Sequence, residues 1–514
     1  MKNAEFKQNL LLEKHESNEP YGAMDSSNNE EKIPTKNLEE AFPCKNGHVR
    51  LDGSRAYTPT EVITAIGFGR SQTLTLIVLT FAWFAELGEI SLMPILSTRL
   101  YVEWDLTPEL ESALGAASFA GFAISYPLWG LVADRIGRRP TLIVSHCWIL
   151  FWGLLCCLAP NLTWLIIFRS FFSLAGGIAN IMMPYYYEFL APEERYIGVV
   201  SGHGFGAAIG NTFPVLLALI MLQTEQLGAW RWYLFANTAP FFIFIPLAIL
   251  FLEESPRYLM SKGHNKEALS VLRRIAERNK VELPESLALI PDTESGDSDE
   301  KLSLKDQMKL AVTDRDILRS FLCIVTIGVV SRYVLYGTAF LKTEVVFKQG
   351  QADNYCKSDR ERTYFLETDD YLALLLIQIG DLAAAFVMIP VLKHKFPLRE
   401  CTLAAYSIGF LLMALLFFCP SLIVALILIT SLRTMVQVSN SVMMVSLSGL
   451  LPTRVRSSLF GFGTFFMYLV LPFTPYLTQN LSKYSQHWVT SVLMTFLVFG
   501  TVGALFTPAK IYSN

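Results

Sequence analysis

Charge is scarce in this chain. Of its 514 residues 17% are charged and 52% hydrophobic, with a mean hydropathy of +0.38, whereas soluble domains carry about 25% charged residues. That balance excludes a soluble globular protein and points to an integral membrane protein. The net charge of -3 offers no basic surface to nucleic acid. There is no Gly-x-x-x-x-Gly-Lys-Ser/Thr loop to cradle a phosphate and no His-Glu-x-x-His pair to hold zinc, so neither an enzyme nor a cofactor or metal is expected. The eight cysteines form no framework: Cys147, Cys156, Cys157, Cys323, Cys401 and Cys419 lie in or at the edges of apolar runs, Cys44 in a polar tail and Cys356 in a polar loop. No cleavable signal peptide is expected.

What the chain has in quantity is long apolar runs. About 20 apolar residues cross a bilayer, and candidate spans run at 72–97, 111–133, 141–159, 162–188, 197–222 and 230–252, then at 317–345, 369–392, 401–419, 421–449, 459–481 and 488–507. Six spans on each side of a polar interruption predict an all-α integral membrane protein with twelve transmembrane helices in two six-helix bundles. The expected division is 1–71, a disordered tail and a short surface helix; 72–252, the first bundle; 253–316, a linker; 317–507, the second bundle; and 508–514, a tail. The loops 134–140, 189–196, 253–316, 393–400 and 450–458 hold twenty lysines and arginines, far more than the loops of the opposite face. By that asymmetry they, the linker and both termini are cytosolic. Ahead of span 1, Thr58-Pro59-Thr60-Glu61 spells a capping box with proline at the first helical position. In the linker, Ala268, Leu272, Ile275 and Ala276 share one face of an amphipathic surface helix over 265–279.

The turn between spans 2 and 3 reads Gly130-Leu-Val-Ala-Asp134-Arg135-Ile-Gly137-Arg138-Arg139. Its arginines mark it as cytosolic, and Gly137 permits a tight bend. At this helix junction the turn resembles the loop signature of the major facilitator superfamily. Further stretches narrow the resemblance to the synaptic vesicle glycoprotein 2 group: the segment from Glu61 to Arg70, Ala85-Glu86-Leu-Gly-Glu89, Glu103-Trp104, Glu188-Phe-Leu-Ala-Pro192 with Arg195, Trp230-Arg-Trp232, Glu254-Ser-Pro-Arg257 and Asp370-Tyr-Leu-Ala-Leu-Leu375. The short loop 346–368 favours the SV2-related branch over the glycoprotein itself, which carries a long luminal domain there.

The resemblance implies alternating access, a cavity lined by spans 1, 4, 7 and 10, and residence in a secretory or synaptic-like vesicle membrane, with the plasma membrane as the other location. It also implies a cytosolic gate latched by Asp134, Arg135, Gly137, Arg138 and Arg139, together with Glu188 and Arg195. The second half departs from the pattern. Its equivalent turn, Lys393-His394-Lys395-Phe396-Pro397-Leu398-Arg399, lacks the aspartate and glycine. Gly449 stands where the group has an acidic residue, and Arg332 where it has no charge.

Six ionisable residues fall inside spans: Glu86, Glu89, Arg169, Arg332, Asp381 and Arg433. Each would cost about 2.5 to 3.5 kcal/mol facing lipid at the bilayer centre, so they are expected to face the bundle interior. They are either structural ion pairs or a substrate and proton cavity. Glu86 and Glu89, three residues apart on one helical face, compete for a proton, which suits one of them to carry it. Asp381, in span 8, is either a cavity residue or a helix-packing partner. Across spans 1, 4, 7 and 10, Arg169, Arg332 and Arg433 outnumber Glu86 and Glu89 by one charge, which predicts an anionic or zwitterionic cargo. Gly198, Gly202, Gly206 and Gly210 recur every four residues along span 5, a small-residue stripe that permits close helix packing.

The expected protein is therefore a secondary transporter of a small organic ion, with protons as candidate coupling ions. It is expected to be a monomer whose partners are the bilayer and its cargo. Two alternatives stay open: a non-transporting vesicle protein that binds partners or nucleotides, and a sugar-type uniporter, against which the acidic pair speaks.

Overall fold

The computed structural model describes residues 48–49, 55–223, 226, 228–284, 287–290, 309, 313–355, 366, 368–394, 396–418, 421–450, 453–481 and 486–507, all within one compact unit, Cys44–Asn514. The helix ahead of span 1 is Pro59–Ile66. Both arms of its capping box are made: Thr58 Oγ1 accepts from the Glu61 N–H at 3.2 Å, and the Glu61 carboxylate accepts from the Thr58 N–H at 2.8 Å. Gly67, at φ +71°, ends it.

Twelve transmembrane helices follow, in two bundles of six. In the first half, span 1 covers Arg70–Glu103, span 2 Pro108–Ile136, span 3 Arg138–Cys157, span 4 Leu162–Tyr187, span 5 Pro192–Met221 and span 6 Ala229–Phe251. In the second, span 7 begins at Arg315 and spans 8, 9, 10 and 12 are Thr368–Lys393, Leu398–Phe417, Leu422–Leu450 and Gln486–Leu505. Span 11 is broken into Thr453–Leu469, Phe473–Pro475 and a π-helical turn, Tyr476–Asn480. Pro472 and Pro475 account for the break, since neither can donate to the preceding turn.

The interruptions of the first half have steric causes. Span 1 breaks at Gly88, between Glu86 and Glu89, where it presses on span 5. A Cβ on Gly88 would lie 3.0 Å from the Gly210 carbonyl oxygen, and one on Gly210 2.7 Å from that of Phe84. Span 5 itself loosens to a π-helical stretch, Val200–Gly206.

Two features depart from the sequence reading. Residues expected in the disordered tail contribute strands β1 (His48–Val49) and β2 (Arg55–Tyr57), and β2 pairs in parallel with β3 (Ala288–Leu289) from the linker. Strands this short are set by their partners and leave no pattern of their own. Span 7 continues as helix to Tyr355, past the expected end at 345. The apolar run marks where the bilayer ends, and with no proline between Arg315 and Tyr355 nothing there stops the helix.

The halves meet along two seams, span 5 against span 8 and span 2 against span 11, while the second segment of span 1 touches span 7.

Candidate cargo site and cytosolic gate

Span 10 brings Arg433 and span 8 brings Asp381 to one buried point. Arg433 Nε and Nη2 donate to the two Asp381 oxygens at 3.3 and 2.7 Å, and Nη1 donates to the Leu335 carbonyl oxygen at 3.0 Å. This is the two-pronged match of guanidinium to carboxylate. From the other half, Asn211 Nδ2 donates to Asp381 Oδ2 at 2.8 Å, so the ion pair is tied across the span 5/8 seam. The pairing corrects the charge count made from sequence. With Arg433 neutralised by Asp381, Arg169 and Arg332 balance Glu86 and Glu89 when both are ionised, and the surplus positive charge disappears.

Arg332, on span 7, lies on the other seam. Its guanidinium sits 4.9 Å from the centre of the Tyr468 ring, and Nη1 reaches the Gly328 carbonyl oxygen at 3.4 Å and Met467 Sδ at 3.3 Å. Tyr126 packs on Tyr468 with centroids 4.2 Å apart, Tyr336 lies 6.5 Å from Tyr468, and Phe119 meets Tyr336 edge-on at 5.0 Å. Phe119 and Tyr126 belong to span 2, Tyr336 and Arg332 to span 7, and Tyr468 to span 11, so the cage is shared by both halves. Tyr336 is within electrostatic reach of both Arg332 and Glu86. Sequence reasoning found the arginine and missed its rings. The available signal was that a tyrosine inside a span needs a partner for its hydroxyl.

Arg169, on span 4, reaches across to span 1. Its Nη2 reaches Met93 Sδ of span 1 at 3.0 Å, and its guanidinium covers the Phe172 ring at 4.6 Å. Glu86 is buried; the side chain of Glu89 lies outside the described residues. Of the glycine stripe, Gly202 and Gly206 lie against Trp83, where an added Cβ would come within 2.7 and 3.0 Å. Gly198 faces Tyr186 at 2.8 Å, and Gly210 faces span 1 at the Gly88 break.

At the ends of spans 2, 3 and 6 the charged turn interlocks with the linker. Glu254 Oε1 accepts from the Arg138 N–H at 3.0 Å and the Arg139 N–H at 3.4 Å, capping span 3 from outside its own chain segment. Gly137, at φ +106°, leaves room for that carboxylate, which any Cβ there would strike. Tyr258 Oη donates to the Arg135 carbonyl oxygen at 2.9 Å, closing the end of span 2, and Arg139 Nη2 donates to the Ile249 carbonyl oxygen at 2.7 Å. Arg138 lies 3.6 Å from Glu188, 3.9 Å from Asp134 and 4.9 Å from the Tyr258 ring centre. Burial pushes the Glu188 carboxyl above the usual range, against the pull of Arg138. Asp134 is 75% exposed.

The linker helix Asn265–Arg278 closes the cluster. Its Arg274 and Arg278 bind Glu253 at 2.8 and 3.0 Å, and Asn279 Oδ1 accepts from the Ser71 N–H at 2.9 Å, capping span 1. Arg195 begins the helix of span 5 beside Tyr187. These contacts of the turn run within the first half and the linker. The residues a latch would meet in the second half, 450–458, have side chains outside the described set. At the opposite end of the bundle, two stretches that carried the resemblance meet: Glu103 accepts from the Gly228 N–H at 2.6 Å, and Trp104 packs edge-on to Trp230 at 5.3 Å.

The pattern of the Major Facilitator Superfamily matches residues 78–475. This chain belongs to the major facilitator superfamily. As a facilitator it is 27% identical over 461 residues to the synaptic vesicle 2-related protein of Xenopus laevis, spanning 88% of this chain and 80% of that one. It is 26% identical over 466 residues to the putative transporter svop-1 of Caenorhabditis elegans, spanning 89% and 86%. A shorter match, 33% over 233 residues, links it to the organic cation/carnitine transporter 7 of Arabidopsis thaliana, spanning 45% and 46%. Its fold is that of the xylose transporter XylE from E. coli, with a TM-score of 0.63 at 17% identity over 85% of this chain and 96% of that one. The twelve-helix architecture and the SV2-related resemblance both stand, and this facilitator is a transporter-family membrane protein rather than an enzyme.

Proposed function

We propose that the protein is a secondary transporter of a small zwitterionic or anionic organic molecule, working by alternating access with a proton as coupling partner. We place it in a vesicle membrane with both termini cytosolic. The observation that carries the reading is Arg332, a buried cation on the Tyr468 ring, with Tyr126 of the opposite half and Tyr336 packed around that ring and with Gly328 and Met467 as its polar contacts. In alternating access the halves rock about a site between them, so a ring set split across the seam opens and closes with that motion. A cargo carboxylate would bind the Arg332 guanidinium as a charge-assisted pair. A cationic head on the same cargo would lie against tyrosine faces, which attract cations, towards Glu86. The name of the plant relative, organic cation/carnitine transporter 7, gives organic cations together with carnitine, a zwitterion of that kind.

Coupling follows from the corrected charge count. When Arg169 and Arg332 balance two ionised glutamates, protonating one glutamate leaves a positive charge that an anionic cargo group offsets, so proton and cargo enter together. The likeness to a xylose transporter rests on shared fold alone and does not favour sugar.

The test is uptake into proteoliposomes of labelled carnitine and of a mixed pool of amino and carboxylic acids, with and without a pH gradient. Saturable, gradient-stimulated uptake is expected. Glu89→Gln is expected to abolish accumulation driven by the gradient while sparing exchange across the membrane. Uptake of permanently cationic compounds alone, or of none of these by an intact protein, would sink the reading.

A further inference from the structure

A cleft of about 710 Å³ opens at the cytosolic face between the span 2/3 turn and the linker helices, lined by Arg135, Arg139, Lys262, Arg274, Glu253, Glu254 and Glu267 among others. Two of its three acids are engaged, Glu253 by Arg274 and Arg278 and Glu254 by three backbone N–H groups, while Glu267 lies at the exposed rim 3.3 Å from His264. Its cations are engaged less fully. Arg139 spends one nitrogen on a backbone carbonyl, Lys262 lies 5.6 Å from the Tyr258 ring centre, and among the described residues neither these two nor Arg135 forms a salt bridge. Three cations therefore converge on a cleft whose two inner carboxylates, Glu253 and Glu254, are already satisfied. The residues flanking it on spans 2 and 6 are exposed and apolar: Leu131, Ile136, Ile249 and Leu250. On a spanning protein such side chains meet lipid tails, so the cleft lies at headgroup depth.

We propose that this cleft binds the phosphorylated headgroup of an anionic phospholipid of the cytosolic leaflet, with its phosphates on Arg135, Arg139 and Lys262. Basic side chains beside a span draw anionic headgroups from the leaflet, and a bound headgroup would join the span 2/3 turn to the linker. A soluble phosphate ester shares the chemistry. The lipid is favoured because the cleft adjoins lipid-facing surface.

The test is native mass spectrometry of the full-length protein in detergent, titrated with a short-chain phosphatidylinositol 4,5-bisphosphate, with phosphatidylcholine, and with soluble inositol trisphosphate. We expect saturable binding of the phosphoinositide over phosphatidylcholine. It should weaken about thirty-fold in the Arg135→Gln/Lys262→Gln double variant, at about fivefold per cation near a membrane surface, and remain unchanged in Lys266→Gln, which lies outside the cleft. Glu267→Gln, which removes a negative charge from the wall, should tighten binding. Undiminished phosphoinositide binding by the double variant, or weaker binding by Glu267→Gln, would overturn the site. Inositol trisphosphate binding as tightly as the lipid would overturn the choice of a lipid.

Discussion

The two seams between the halves are built from opposite chemistry. At spans 5 and 8 a guanidinium is locked to a carboxylate by two hydrogen bonds, and an asparagine from the opposing half holds the carboxylate's other side. At spans 2 and 11 a guanidinium lies on the Tyr468 ring, against which Tyr126 packs from the opposing half. A buried ion pair with its hydrogen bonds complete has no valence left for cargo, whereas Arg332 forms no salt bridge among the described residues and spends its donors on weaker partners, the Gly328 carbonyl oxygen, Met467 Sδ and the Tyr468 side chain. On the reading proposed above, that difference gives Arg433 a structural role and Arg332 the cargo, although the sequence presents both as lone arginines in spans expected to line the cavity.

Breaking the polar seam should have the largest effect. Asp381→Ala leaves Arg433 charged and buried, and removing one partner of such a pair costs about 3 to 5 kcal/mol. The expected result is a protein that melts far earlier in a thermal-shift assay. Replacing both residues with leucine should recover most of the loss, because well-packed apolar residues often replace a buried pair at little cost. Failure of the double variant to recover would mean that Arg433 does more than pair.

Asn211→Leu cuts the link between halves while leaving the ion pair whole. A hydrogen bond to a charged group contributes about 1.5 to 3 kcal/mol, so a smaller drop in melting temperature is expected, together with altered labelling of engineered cysteines along span 8. Unchanged labelling would show that the link does not bias the seam.

Tyr468→Leu removes the ring beneath Arg332. Cation–π contacts contribute about 0.5 to 2 kcal/mol, so the stability loss should be the smallest of the seam variants while the uptake defect is severe. A variant that loses stability but transports normally would erase the contrast between the seams.

The mildest prediction concerns the candidate gate. The Glu188 carboxyl is held above the usual range by burial, so the folded protein binds this proton more tightly than the unfolded chain does. Its contribution to stability therefore falls as pH rises from the ordinary glutamate value, about 4.3, through the raised one. Melting temperatures measured across that window should show the slope in wild type, and Glu188→Gln should flatten it. An identical slope in both would place its origin elsewhere.

Much of the fold was legible because hydropathy and loop charge answer directly to the bilayer. Among the described residues eleven helices are long and apolar enough to cross, and span 11 is divided at Pro472 and Pro475 into shorter pieces. The capping box at Thr58 and Glu61 was readable for the same local reason. The candidate site was legible only as a set of charges. Which arginine took Asp381 depended on how spans 8 and 10 face each other, and the Arg332 cage needed rings from spans 2, 7 and 11, far apart in sequence. Neither pairing leaves a mark within a single helix. Glu254 was visible as a motif residue, but its task, capping span 3 from beyond span 6, required the fold.

The central claim is that Arg332 receives the cargo, and the most direct measurement is counterflow of carnitine and of the mixed acid pool in proteoliposomes holding wild type or Arg332→Ala, with melting temperature recorded for both. Arg332→Ala is expected to melt within a few degrees of wild type, since the arginine loses only ring contacts and weak polar ones, yet to show at least a tenfold loss of cargo affinity, the effect of about 1.4 kcal/mol. Normal cargo affinity in Arg332→Ala, or a collapse in melting temperature that accounts for all of the lost transport, would contradict it.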